Sequence, residues 1–226
     1  PRGGRAQGET CRDAAEKLAI LLRLTGHDGR PDELPRRGID DIDRTDFALA
    51  AAVGGTLKPV AMAEFSPEPA AWVGPAFVFA EHAFAQVNGS TNTLEFTGPD
   101  GATVAFTGPG AGPDATAATI LDDVVEVVGA GRRRSNQAVH GRPFTPSAPS
   151  GPWFVTLEGS SLPPNYLADY LWQRGLPTRR IESVGALAVA LTWPVSAETV
   201  RLAIHPLRAL GLRSLALPVI GAGAHG

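Results

Sequence analysis

Along residues 12–24 the apolar positions recur every three to four residues. Ala14, Ala15, Leu18, Leu21 and Leu22 fall on one side, which predicts an amphipathic helix. Thr10 is its expected N-cap and Gly26 its stop. A polar, proline-containing loop over 27–37 leads to a second, Ala-rich helix over 44–53, with Asp43 as N-cap and Gly54-Gly55 closing it. From residue 56 the period shortens to two. Residues 56–65 read as a strand that Pro59 marks as an edge or a bulge. Residues 72–80 read as another strand or an extended segment, and 85–96 as strand, turn and strand. Gly98-Pro-Asp-Gly101 is a hairpin signal, and 102–107 alternates as a strand again. Gly108-Pro-Gly-Ala-Gly112 then feeds a run in which Ile120, Val124, Val127 and Val128 share one helical face.

Residues 132–151 are rich in Arg, Ser, Pro and Gly and lack periodicity, the composition of a linker. Pattern returns with a strand at 153–157, a helix at 164–174 and strands at 178–184 and 186–192 that meet at Gly185. A helix capped by Ser196 runs toward Leu210, with a kink or early end expected at His205-Pro206, and a last strand spans 214–220. The order βαββαβ is ferredoxin-like. The expected architecture is therefore α+β: a first domain over 1–131 with helices on a mixed or antiparallel sheet, a linker over 132–151, and a βαββαβ domain over 152–226.

At 226 residues and 43% hydrophobic, the chain can bury a sizeable core. A net charge of −3 leaves no broad basic field for nucleic acid. The Arg132-Arg133-Arg134 cluster reads as a solvated helix end. The lone Cys11 allows no internal disulfide and fits a reducing cytoplasm. No apolar run reaches the roughly 18 residues of a membrane span. His, Cys and carboxylates show no zinc-like spacing, so no metal site is expected, and His82 reads as structural. The chain starts at Pro1 and its only methionine is Met62, so it is expected to belong to something longer or to be processed.

Two places could carry chemistry. The glycine turn at 108–112 lies where a strand meets a helix, and free backbone N–H groups there suit an anion or a carboxamide. The alternative is a tight turn that serves only the fold. It is not the dinucleotide fingerprint, because the third glycine comes too soon. Asp13 and Lys17 sit four residues apart on one helix face. They are either an exposed ion pair or a carboxylate that holds a polar substrate beside an amine that moves a proton, as a lysine does when burial lowers its pKa.

Taken together, several segments resemble homoserine dehydrogenase, in that family's order and near its spacing. They are Asp13-Ala-Ala-Glu-Lys-Leu-Ala-Ile-Leu21, Gly38-Ile-x-x-Ile42, Gly54-x-x-Leu-Lys58, Glu81-His-Ala-Phe-Ala-Gln-Val-Asn-Gly-Ser-Thr-Asn92, and Gly108-Pro-Gly-Ala-Gly112 with Thr116-Ala117 and Asp123. The tail resembles an ACT regulatory domain, with Thr192-Trp-Pro-Val-Ser196 matching its characteristic loop. The resemblance implies NAD(P)-dependent interconversion of L-aspartate 4-semialdehyde and L-homoserine, in threonine and methionine biosynthesis. It implies Lys17 as the proton donor and acceptor, Asp13 as the substrate-binding carboxylate, and Gly110, Ala111 and Gly112 as backbone beside the nicotinamide. It further implies a homodimer, threonine as an effector, and a shared cleft where Lys17 and Asp13 face the glycine turn.

Three departures accompany it. The family's cofactor-binding half is outside this sequence, so the chain alone is expected to be inactive. Cys11 stands where the family usually has glycine. Residues 162–167 lack the acidic residue and glycine of an effector-sensing member. A non-catalytic oligomerisation and effector-binding module is the alternative reading.

Overall fold

The computed structural model describes residues 11–129, 141–158, 164–209 and 211–221. Thr10 and the Arg132–Arg134 cluster lie outside the described residues. The chain divides into two compact units, Pro1–Ala85 with Val139–Gly226, and Gln86–Ala138.

In the first unit, helix α1 (Arg12–Leu24) buries Ala15, Leu18, Ala19 and Leu22 against Leu34, Ala71, Val73 and Phe144. Its N-cap is Cys11, left-handed at φ 53° and without a side-chain cap bond. Glycine adopts that backbone freely, whereas other residues are strained by about 1–2 kcal/mol. Helix α2 (Arg44–Ala52) starts from a complete capping box: the Asp43 carboxylate accepts from Thr45 and Asp46 N–H, and Asp46 accepts from Asp43 N–H. Two-residue strand β1 (His27–Asp28) precedes it, and strands β2 (Gly55–Glu64) and β3 (Ala70–Phe79) follow as a ten-residue antiparallel pair.

The expected linker is partly built into this unit. Strand β6 (Arg142–Pro143) pairs with β1, Ser147 bridges to Ala70, and β7 (Ser150–Gly151) pairs with β11 (Val195–Ser196). Phe144 is buried, so this stretch is pinned by an aromatic anchor that its Ser/Pro composition conceals. The tail follows the expected order: β8 (Trp153–Glu158), α4 (Pro164–Gln173), β9 (Thr178–Val184), β10 (Leu187–Thr192), α5 (Ala197–Ala209) and β12 (Arg213–Ile220). Helix α5 continues through Pro206. Proline removes the N–H that would bond to the Leu202 carbonyl, but Leu207 beyond it is buried in the core.

The boundary expected between the two modules does not divide the sheet. Strands β2-β3-β12-β8-β10-β9 form one six-stranded mixed sheet. Its junction is the parallel pairing of β12 with β3, at Val219–Phe77 and Ile220–Val78. The tail's own four strands are antiparallel to their neighbours in the ferredoxin-like order. Side chains alternate across a sheet. One face of the tail packs on α4 and α5, through Leu167, Leu171, Val200, Ala203 and Ile204. Phe154, Val189, Leu191, Leu215 and Leu217 on the other face meet Leu49, Ala50 and Val53 of α2, together with Leu57 and Phe77. That shared core is the physical reason the tail joins residues 11–85, and periodicity along single segments cannot reveal it.

The second unit contains the hairpin β4 (Thr91–Thr97) and β5 (Thr103–Pro109), followed by helix α3 (Pro113–Gly129). The turn at 98–101 is as expected. Residues 85–90 differ from expectation. A short 3-10 helix covers Ala83–Gln86, and His82 Nδ1 accepts from Phe84 N–H at 3.2 Å. This local cap competes with extension. Among the described residues of this unit none is buried.

Candidate functional site

Asp13 and Lys17 are brought together as their spacing requires. Lys17 Nζ lies 2.9 Å from Asp13 Oδ2, and the side chains are 61% and 63% exposed. Ile20 and Leu24 continue their stripe along α1 and are 58% and 78% exposed. The stripe 13-17-20-24 is opposite the buried one at 15-18-19-22, because successive helical residues turn by about 100°. An ordinary solvated face carries polar residues there. This one carries an acid, an amine and two bare aliphatic side chains.

The glycine turn lies in the second unit. Gly112 has φ +128°, a backbone that favours glycine. Its carbonyl accepts from Thr116 N–H at 3.0 Å and from Thr116 Oγ1 at 2.9 Å, so it starts α3, with Pro113 at the first helical position, where proline fits. Gly110 N–H donates to the Ser90 carbonyl at 2.6 Å. A Cβ on Gly110 would collide with the Asn92 side-chain amide, whereas one on Gly108 or Gly112 would meet nothing within 4 Å. The turn is therefore shaped at Gly110 by Asn92 and left open at Gly112. Asn92 ends the segment 81–92, and nothing in its local pattern marks it as part of the turn. Its direct pairing opposite Gly108 across the hairpin is the signal that ties it to the turn. On α3 the predicted face of Ile120, Val124, Val127 and Val128 exists, and it is exposed.

Other charged groups stand elsewhere in the first unit. Arg37, Gly38, Asp40 and Asp41 line an open hollow of about 280 Å³. Arg37 is held there by Asp41 and by the Ala216 carbonyl at 2.9 Å. Burial, and secondarily the nearby Asp40, pushes the Cys11 thiol up from its ordinary value. Among the described residues, no cluster of three or more His, Cys, Asp and Glu could hold a metal ion, and no helix is long and apolar enough to cross a membrane.

The family model for homoserine dehydrogenase matches residues 10–125, a stretch that holds Asp13, Lys17 and the whole glycine turn. The chain belongs to the homoserine dehydrogenase family. The Synechocystis homoserine dehydrogenase is 36% identical over 124 residues, covering 52% of this chain and 28% of that protein. The Lactococcus lactis enzyme is 34% identical over 135 residues, covering 58% and 30%. The match thus spans under a third of these curated homoserine dehydrogenases. Among solved structures, the homoserine dehydrogenase of Thiobacillus denitrificans superposes with a TM-score of 0.78 at 21% identity, over 94% of this chain and 54% of that one. That of S. aureus gives 0.71 at 19%, over 96% and 54%. At such identities the superpositions speak for the fold: the α+β architecture with a mixed sheet is that of homoserine dehydrogenase.

Proposed function

We propose that this chain is the substrate-side part of a homoserine dehydrogenase that interconverts L-aspartate 4-semialdehyde and L-homoserine with NAD(P)(H). The observation that carries the reading is that one family match spans the Asp13–Lys17 pair and the glycine turn. In the oxidation direction the C–H bond at the alcohol carbon breaks, its electron pair leaves as hydride, and the hydroxyl proton must go to a base. Lys17 takes that proton and returns it in the reverse direction. Asp13 binds the polar substrate and, 2.9 Å away, orients the amine.

The glycine turn fits a flat ring. Gly112 is open backbone with nothing that a Cβ would meet, and Gly110, Ala111 and Gly112 would lie beside the nicotinamide. The bound cofactor supplies the hydride acceptor. Its other half needs a dinucleotide-binding fold, and the exposed Ile20, Leu24 and α3 side chains are surfaces made to be covered. In this reading the cofactor half covers them, and the chain alone is inactive.

The test is NAD(P)-linked homoserine oxidation by the chain alone and by the chain joined to a cofactor-binding half. Activity of the joined protein only supports the proposal, and inactivity of both contradicts it. The ferredoxin-like order β12-β8-β10-β9 favours a second role for the tail, as an ACT-like module that binds threonine and supports a homodimer of this cytoplasmic enzyme. Calorimetric titration with threonine tests it, and no heat at millimolar ligand contradicts it.

A further inference from the structure

Asp46 is a fully buried carboxylate, 0% exposed, that the proposed chemistry does not use. Its Oδ1 accepts from Thr156 Oγ1 at 3.1 Å and from Arg213 Nη1 at 3.2 Å. Its Oδ2 accepts from Asp43 N–H at 3.1 Å and from Arg213 Nη2 at 2.5 Å. Arg213 also donates to Glu158 at 3.3 Å and to the Asp41 carbonyl at 2.5 Å. The hydrogen bond to Asp46 is the main reason its guanidinium is held above its ordinary pKa.

The other end of α2 is tied as well. Arg180 donates to the carbonyls of Ala52 and Val53, both at 3.3 Å, the unpaired groups that a helix C-terminus presents to a cation. Arg213 comes from β12 and Arg180 from β9, the two outer strands of the tail's four. Helix α2 therefore crosses the whole βαββαβ sheet, bound at each end by an arginine and along its length by Leu49, Ala50 and Val53. At Gly54-Gly55 it turns straight into β2, whose Ala63 packs with the α1 cluster.

We propose that α2 is the coupling element between the βαββαβ tail and the β2–β3 hairpin that carries α1, with Arg213 and Arg180 as its two ties. A ligand or partner that changes the spacing of β9 and β12 then acts on α2 and through it on β2, alongside the direct pairing of β12 with β3. This holds whether or not the chain takes part in catalysis.

Hydrogen–deuterium exchange on the full chain tests it, since local opening is read segment by segment. Arg213→Gln and Arg180→Ala are each expected to speed exchange in α2 and β2 by about tenfold or more, as losing a hydrogen bond to a charged group does. The hairpin β4–β5 should stay unchanged. Arg201→Ala removes an exposed pair with Glu198 and should move neither. Unchanged exchange in α2 or in β2, or acceleration spread equally into β4–β5, would overturn the proposal. Should Arg213→Gln fail to fold, Arg180→Ala decides by the same two outcomes.

Discussion

Phe77→Ala would open the core that joins the tail to the first hairpin. The ring is 0% exposed, stacks on Phe154 at 5.0 Å and meets Phe79 edge-on at 5.1 Å. Around it lie Leu49 and Val53 of α2 and Val189, Leu191, Leu215 and Leu217 of the tail. Truncating a buried Phe costs about 3–5 kcal/mol, of which the stacked pair accounts for about 0.5–1.5 kcal/mol. With a urea slope of roughly 2–3 kcal/mol per molar, the midpoint falls by roughly 1–2.5 M. Unfolding should be followed by far-UV circular dichroism and, in a Trp72→Phe background that leaves Trp153, Trp172 and Trp193 of the tail as the fluorophores, by tryptophan fluorescence; Trp153 is buried in β8. A shared core moves both transitions together. A fluorescence transition that stays in place while the dichroism shifts would show that the tail unfolds independently of the shared core, and would refute the reasoning.

Three further changes can be read directly. A Cβ on Gly74 would lie 2.7 Å from the Arg37 carbonyl oxygen, so Gly74→Ala should cost about 1–3 kcal/mol in urea unfolding, and no measurable loss would contradict that close approach. Desolvation pushes the Asp43 carboxyl up, but the N–H groups of Thr45 and Asp46 and the Arg213 guanidinium outweigh it and hold the group below 3.8. Its contribution is thus fully present above pH 3.8 and lost as pH falls through the lower folded value. Asp43→Ala should cost about 1 kcal/mol near neutral pH, with a gap that closes in acid, and a gap unchanged at pH 2 would contradict the sign. The Cys11 thiol, raised by burial, should react with iodoacetamide at pH 7 about tenfold or more slower in the folded chain than in urea. Equal rates would contradict its burial.

Local features were legible where one segment holds the whole signal. The 12–24 periodicity, the Asp43 cap, Gly185, and Pro59 on the outer strand β2 are all decided within a few residues. Burial that depends on distant chain was not. Phe144 sits in a stretch of linker composition, and β12 pairs with β3 across more than a hundred residues. Asp46 has the capping-box spacing from Asp43, but its burial under the tail's Thr156 and Arg213 depends on residues more than a hundred positions away. Of the candidate site, the Asp13–Lys17 geometry follows from helical spacing alone. The exposure of its stripe does not, because periodicity tells which residues share a face and not what covers it.

The most direct test of the central claim uses the active assembly of this chain with a cofactor-binding half, and compares homoserine oxidation by Lys17 with that by Lys17→Ala. Lys17 is exposed and its pair with Asp13 contributes only about 0.3–0.5 kcal/mol to the helix, so the variant keeps its fold. A proton carrier at the substrate oxygen predicts a fall in kcat of roughly 10²–10⁴. An unchanged kcat would remove Lys17 from the mechanism and contradict the account.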